Sequence, residues 1–364
     1  MDAVEGDYSI ASFNVLNYFT SLGRDEEGCR AYTDMDGTPV GTNYCDVRGA
    51  WSQEAFDDQQ TKIVAAINAL DVDVLGLEEI ENTSALTGDA DRRDEALAAL
   101  VDALNADAGT TRWAYVPSPA EVGTDEDVIR VGFIHNPATV KTVGESRVFD
   151  DARFTGTARQ PLAQAFRAVG TDETFVAVVN HFKSKGSVAN GDSDTGDGQG
   201  NNATVRANQS QALLEHLNDQ QDWAGLPTFV LGDINAYSRE TAVSVLEAAG
   251  YTNIAAEHDP EHTTYQFGGL LGSLDHALGN DAAMELVADA RIWNINADEP
   301  VLYEYSRRNY NVVDFHEDNY FRSSDHDPVK VGFNLTPGGK GTPPAGDEAS
   351  PLSSAGGAAL LSSR

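Results

Sequence analysis

Seven short apolar runs, each running into turn-forming or charged residues, constrain this chain more than any other feature. They read "YSIASFNV" (8–15), "DVDVLGLEEI" (71–80), "VIRVGFIHN" (128–136), "TFVAVVNHF" (174–182), "PTFVLGDIN" (227–235), "SLDHALGN" (273–280) and "DPVKVGFNL" (327–335). Runs so short and so rich in Val, Ile and Phe read as buried strands. Between them, Phe56, Ile63, Val64, Ile67 and Leu70 recur at helical spacing, which predicts a helix over 54–70. Further helices are predicted over 94–105, 204–220 and 241–249. Strands alternating with helices define an α/β fold, and some strand pairs lie close enough for hairpins, so the sheets should be mixed. One layered domain is expected over 7–336. The tail, 337–364, is rich in Gly, Pro, Ser and Ala and reads as linker.

The strands end on polar residues where burial should continue. Asn14 follows "IASF", Glu79 follows "VLGL", and His181 follows "VAVVN". Asp233 and Asn235 follow "FVLG", Asp275 follows "GSL", and Asp325 and His326 open the last run. Taken singly, each is a cap or a turn. Taken together, carboxylates, amides and imidazoles at so many strand tips argue for convergence at one sheet edge. Carboxylate and amide oxygens are hard ligands that suit Mg²⁺, Mn²⁺ or Ca²⁺. Two histidines beside such an ion point to phosphoester cleavage, with one group handling water and another the phosphorus or the leaving oxygen.

Charge sets a second boundary. The chain has 58 acidic and 24 basic side chains, a net charge of −34. Self-repulsion of that size is relieved by salt, whose Debye length is about 3 Å at 1 M. A saline habitat accounts for it; so does an ordinary acidic secreted protein. No apolar run reaches the ~20 residues that span a bilayer. Asp2 and Glu5 stand where a signal peptide would be positive, so the expectation is a mature secreted chain behind an added Met1, or a native cytosolic start. Cys29 and Cys45 are either a disulfide or two free thiols, and zinc-type spacing is absent. Within "GSVANGDSDTGDGQGNN" (186–202), Asp192, Asp194 and Asp197 suit a calcium ion or a solvated loop. Lys183 and Lys185 flank His181 and suit phosphate contacts; a solvated loop is the alternative.

The segments "SFNV", "LGLEEIEN", "NHFKSKG", "LGDINA", "LDHAL" and "SSDHDPV" together resemble the endonuclease/exonuclease/phosphatase superfamily, to which deoxyribonuclease I belongs. "RGAWSQEAFDDQQTKIVAAI", "GDGQG" and "INADEP" resemble secreted bacterial nucleases of the ExeM/NucH type. The resemblance covers nearly all of 8–335 and implies a four-layered α/β sandwich with two packed mixed β-sheets. It implies Glu79 as principal metal ligand, with Asn14 and Asp325 completing the shell. His326 becomes the acid/base histidine held by Asp275, and His181 contacts the scissile phosphate. Asp233 and Asn235 handle the water, Arg130 and Arg159 contact phosphate, and Asp327 is a structural neighbour. Glu78 should point to the opposite face from Glu79, as strand alternation requires. His276 stands where the wider superfamily often has an aromatic residue, and the 186–202 loop lacks the cysteines of many secreted relatives.

The expected function is a secreted, monomeric, Mg²⁺- or Mn²⁺-dependent endonuclease acting on extracellular DNA, or RNA as well, without sequence preference. A structural Ca²⁺ is a further expectation. Net charge opposes DNA binding, so Arg130, Arg159, Arg206, Lys183 and Lys185, with the metal, should form a local exception. The rivals are a phosphoesterase of the same fold acting on a phospholipid or phosphoinositide, and a non-catalytic binding module. No exposed aromatic hairpin for membrane contact is expected. Salt adaptation predicts that the unfolding midpoint rises between 0.1 and 3 M salt, as the Debye length shrinks from about 10 Å to below about 3 Å; a flat or falling midpoint contradicts it.

Overall fold

The computed structural model describes residues 3–306, 313 and 315–335, so the expected tail lies outside the described residues. The strands are β1 (Tyr8–Tyr18), β2 (Arg30–Thr33), β3 (Pro39–Asn43), β4 (Val74–Glu81), β5 (Ala114–Tyr115), β6 (Ile129–His135), β7 (Val140–Val148) and β8 (Arg159–Ala168). They continue with β9 (Thr174–His181), β10 (Thr228–Asp233), β11 (Thr252–Asn253), β12 (Tyr265–Phe267), β13 (Leu270–Gly272), β14 (Asp275–Gly279), β15 (Val287–Ile292) and β16 (Val329–Phe333). The helices are α1 (Gln53–Leu70), α2 (Thr83–Thr87), α3 (Glu95–Ala108), α4 (Ala203–Asp219), α5 (Thr241–Ala248), α6 (Ile254–His258) and α7 (Asp281–Met284).

Two six-stranded sheets result, ordered β15-β16-β1-β4-β6-β5 and β11-β14-β10-β9-β8-β7. Each is mixed. The parallel pair β1/β4 is joined through α1, and the parallel pair β9/β10 through α4, because a parallel return needs a crossover. Antiparallel neighbours flank each pair: β16 and β6 in one sheet, β14 and β8 in the other. Ile63 and Ile67 of α1 and Leu97 and Leu100 of α3 cover the outer face of the first sheet. Leu213 of α4 and Val243 and Leu246 of α5 cover the outer face of the second. Phe133, Phe166, Phe175, Val179, Phe229 and Phe333 fill the space between sheets. The result is the expected four-layered α/β sandwich. Gly76 lets the sheets approach closely, since a Cβ there would lie 3.1 Å from Val179 Cβ.

Helix ends follow local chemistry. The Ser52 side chain accepts from the Ala55 amide at the start of α1, and Asp71 ends that helix in a left-handed conformation (φ 47°). Strands β2, β3, β5, β7, β8, β11, β12, β13 and β15 are absent from the predicted set. In β8 ("RQPLAQAFRA") the buried Gln164 Nε2 donates to the carbonyls of Ala165 and Val143, so polar residues sit inside a strand. Cys29 and Cys45 form a disulfide beside the β2–β3 hairpin. Closing that loop contributes roughly 3 kcal/mol in the chain-entropy account.

His135 ends β6 buried against Phe166, with ring centroids 5.9 Å apart. Burial pushes its imidazole down to about 4. The unfolded chain therefore binds this proton first, and stability is lost as pH falls from about 6.5 to about 4. The expected loss from this group is about 3 kcal/mol, and none of it is felt above pH ~6.5. In denaturant titrations the stability gap between the parent and His135→Gln should change across that window; a constant gap contradicts the assignment.

Candidate active site

Parallel strands β1, β4, β9 and β10 end at one edge, and their antiparallel neighbours β14 and β16 begin there. That geometry gathers Asn14, Glu79, His181, Asp233, Asp275 and His326, which come from six different strand tips. All are buried but Glu79, which is half-buried. Asn14 Nδ2 donates to Glu79 Oε1 at 3.3 Å and lies 3.5 Å from Asp233 Oδ2. His181 Nε2 lies 3.4 Å from Asp233 Oδ2 and 3.8 Å from Glu79 Oε1. Asn235, left-handed at φ 52°, donates its backbone N–H to Asp233 Oδ1 at 2.8 Å and its Nδ2–H to Oδ2 at 2.9 Å.

His326 Nδ1 lies 2.8 Å from Asp275 Oδ2. The Thr264 hydroxyl accepts the Asp275 amide, and the Tyr265 ring packs on His326 with centroids 4.6 Å apart. Burial alone would lower the His326 imidazole, but Asp275 and Asp325 outweigh it and hold it well above its ordinary value. His181 is pushed well below its ordinary value by burial and then by Arg159. The two imidazoles are thus pushed in opposite directions, His326 towards its charged form and His181 towards its neutral one. Burial lifts Asp233 to about 7, with the neighbouring Asp275 adding to the rise. Asp327 faces away: it accepts from the amides of Ile295 and Asn296 and anchors that loop.

Glu78 departs from expectation. Glu79 has φ 64°, and the pairing register shifts on both sides of β4 at this point. This bulge cancels the alternation that would set Glu78 and Glu79 on opposite faces. Glu79 turns onto the site edge. Glu78 lies between the sheets beneath it, fully buried, with neither carboxylate oxygen hydrogen-bonded. Burial and then Asp275 and Asp233 raise its carboxyl well above the usual range. Gly232 (φ 119°) makes room, because a Cβ there would stand 2.8 Å from Glu78 Oε1 and 2.2 Å from the Asn180 carbonyl.

A divalent cation fits this edge. Glu79 Oε2 is buried with no hydrogen-bond partner, the Asn14 amide touches the same carboxylate, and Asp325 is close enough to raise its pKa. The carboxylates are hard oxygen donors, and the Asn14 Oδ1, which accepts from the Leu16 amide at 3.1 Å, is of the same kind. Asp233, Asp275 and His326 also bring ligand atoms within 4.8 Å of one another.

The basic candidates divide. Arg159 pairs in register with His181 across β8/β9, donates to the Phe182 carbonyl at 3.0 Å and influences Glu79. With Lys183 it lines a cavity of about 380 Å³ at the site's edge. Arg130 does not face the site: it is buried and tied to Asp94 at 2.8 Å. Lys185 is committed to Glu240 (2.5 Å), and the fully buried Arg206 reaches Glu240 and the Gln199 and Asn201 carbonyls. These two cations and Asn202 staple the 186–202 loop. Asp192, Asp194 and Asp197 each cap a separate amide, those of Val205, Gly196 and Gln199, so the structure does not gather them at one ion. Arg48, which sequence reasoning missed, lines the same cavity as Arg159; its loop carries no periodic signal.

The β12–β13 hairpin corrects another expectation. Its tip exposes Phe267, Leu270 and Leu271, at 70%, 74% and 59%. Tyr265 links it to His326. A second cavity, of about 480 Å³, lies on this side and is lined by Tyr237, His262, Leu271, Asp275 and His276. His276 is a strut there: Nε2 meets the Ala236 carbonyl at 2.8 Å and Nδ1 meets Asn253.

A layered sandwich with an acidic, histidine-bearing edge defines a class of metal-dependent hydrolases that includes nucleases and phosphatases. The chain belongs to the Endonuclease/Exonuclease/phosphatase family, which matches residues 12–326. Among solved structures, a family protein from Bacteroides thetaiotaomicron is 13% identical, covering 89% of this chain and 96% of its own, with TM-score 0.55. A mannosyl-6-phosphatase from the same organism is 13% identical over 90% and 99%, with TM-score 0.54. The human Nocturnin catalytic domain with bound sulfate is 15% identical over 91% and 96%, with TM-score 0.51. Likeness at these identities shows the fold. No curated protein matches the chain.

Gly232→Ala should be severely destabilising, by about 3 kcal/mol or more, because the left-handed backbone, the Asn180 carbonyl and Glu78 all oppose a Cβ. Thermal melting checks this; a parental midpoint contradicts the packing described.

Proposed function

We propose that the protein is a divalent-metal-dependent endonuclease that hydrolyses phosphodiester bonds of DNA without sequence preference, as the secreted nucleases that its motifs resemble do. One observation carries the reading: the His326–Asp275 pair, His181 and the Asp233–Asn235 pair converge around Glu79. Glu79, Asn14 and Asp325 hold the metal, which supplies Lewis-acid stabilisation of phosphoryl charge. Asp233, near neutrality, takes the proton of the attacking water, and Asn235 fixes both the carboxylate and that water. His326, kept protonated by Asp275, donates to the phosphate or its leaving oxygen. His181 donates to the phosphate from the opposite side. The disulfide and the net charge of −34 support an extracellular, saline setting.

A second reading has its own support. The apolar tip of the β12–β13 hairpin beside His326 suits a lipid surface, and so a phospholipid phosphoester. One experiment separates the two. Supercoiled plasmid, linear DNA, RNA, sphingomyelin vesicles and inositol phosphates are offered with EDTA, Mg²⁺, Mn²⁺ or Ca²⁺ across salt. The nuclease reading predicts plasmid nicking that EDTA abolishes, and a loss of kcat of about 10²–10⁴ in Glu79→Gln and His326→Ala. Lipid hydrolysis without DNA cleavage establishes the second reading instead.

A further inference from the structure

The cavity beside Arg159 has a charge balance at odds with the rest of the molecule. It is lined by Arg48, Arg159, Lys183, Asp125, Asp127, Ser184 and Ser187 among others. Three cations meet two carboxylates in a chain whose acidic residues outnumber its basic ones by 58 to 24. Several arginines elsewhere are matched to carboxylates: Arg92 to Glu95, Arg93 to Glu126, Arg147 to Asp222, Arg153 to Asp151 and Glu215. Lys183 is treated differently. Its residue is 8% exposed, and its ammonium meets the hydroxyls of Ser187 (3.0 Å) and Ser184 (3.3 Å). Among the described residues no carboxylate stands within ion-pair distance of it. Arg159, also 8% exposed, has a buried Nε–H with no acceptor, and its nearest carboxylate, Asp127, is 3.8 Å away. Holding two under-compensated cations in a wall costs stability unless an anion completes them.

Asp127 shows where that anion belongs. Its carboxylate takes a forked contact from Arg48, at 2.8 and 3.3 Å, and stands within reach of Arg159. That is how a phosphate is held by arginine. Arg159 also borders the reacting groups, since it pairs in register with His181 and donates to the Phe182 carbonyl. The cavity, about 380 Å³, is of a size usual for ligand sites, roughly 300–1,000 Å³.

We propose that this cavity is a subsite for a second phosphate, the one next to the scissile phosphate along a nucleic-acid strand, and that Asp127 is its resident competitor. The inference rests on the nuclease reading and deepens it. It explains how a protein at −34 engages a polyanion: two adjacent phosphates are held, one by the catalytic edge and one by Arg48, Arg159 and Lys183, while the remaining surface repels. Chains of phosphodiesters gain from it, and lone phosphomonoesters do not.

The test uses the full chain and a fluorescent DNA duplex. Binding is read by anisotropy across salt in EDTA, and KM by cleavage with Mg²⁺. Lys183→Met and Arg48→Met should each weaken binding severalfold, raise KM more than they lower kcat, and flatten the slope of log Kd against log salt by about 0.9. Asp127→Asn should do the reverse and tighten binding, a change of sign that a merely structural residue would not produce. Arg48 is 39% exposed, so its variant reports even if Lys183→Met fails to fold. Parental affinity and slope in the folded cation variants, or weaker binding by Asp127→Asn, overturns the subsite. A parent that cuts no DNA with any of the three divalent ions overturns the nuclease reading itself.

Discussion

Glu78, Glu79, Asp233, Asp275 and Asp325 crowd one edge of the sandwich; Glu78, Asp233 and Asp275 are buried there, and Glu79 and Asp325 are half-buried. Carboxylates that close, removed from water, repel one another strongly and lift each other's pKa. The groups that oppose the repulsion are few. Asp275 has His326 at 2.8 Å, Glu79 has Asn14 and the field of Arg159, and Asp233 has both donors of Asn235. Glu78 has no hydrogen-bond partner among the described residues and only the field of His326. The edge is held against its own electrostatics by the two sheets that close over it, and a hard cation is the natural completion.

The backbone shares that tension. Left-handed residues Leu16, Asn17, Glu79 and Asn235 cluster where strands reach the site, and none is glycine. Each conformation costs on the order of 1 kcal/mol or more and persists because the sheets over-determine it. The bulge at Glu79 is the most consequential, since it converts a strand that would present one glutamate into one that brings two towards the same edge.

Much of this was legible beforehand. The seven apolar runs all became strands, the long helices fell within a few residues of their predicted ends, and the polar tips met as their positions required. What escaped had no local signature. Gln160 and Gln164 made β8 read as polar, although loop and strand carbonyls satisfy both amides. Lys185 and Arg206 looked like phosphate ligands because their partner, Glu240, lies 55 and 34 residues away in sequence. Arg130 is spent on Asp94 for the same reason. Glu78 was misplaced because alternation is a rule for regular strands, and one left-handed residue breaks it.

The account depends on a hard cation completing the carboxylate edge, and calorimetric titration of Mn²⁺ alongside melting curves addresses that most directly. It predicts a saturable, EDTA-reversible rise in Tm that is largely lost in Glu79→Gln. An unchanged melting curve at saturating Mn²⁺ and Mg²⁺, or an equal rise in Glu79→Gln, would contradict it.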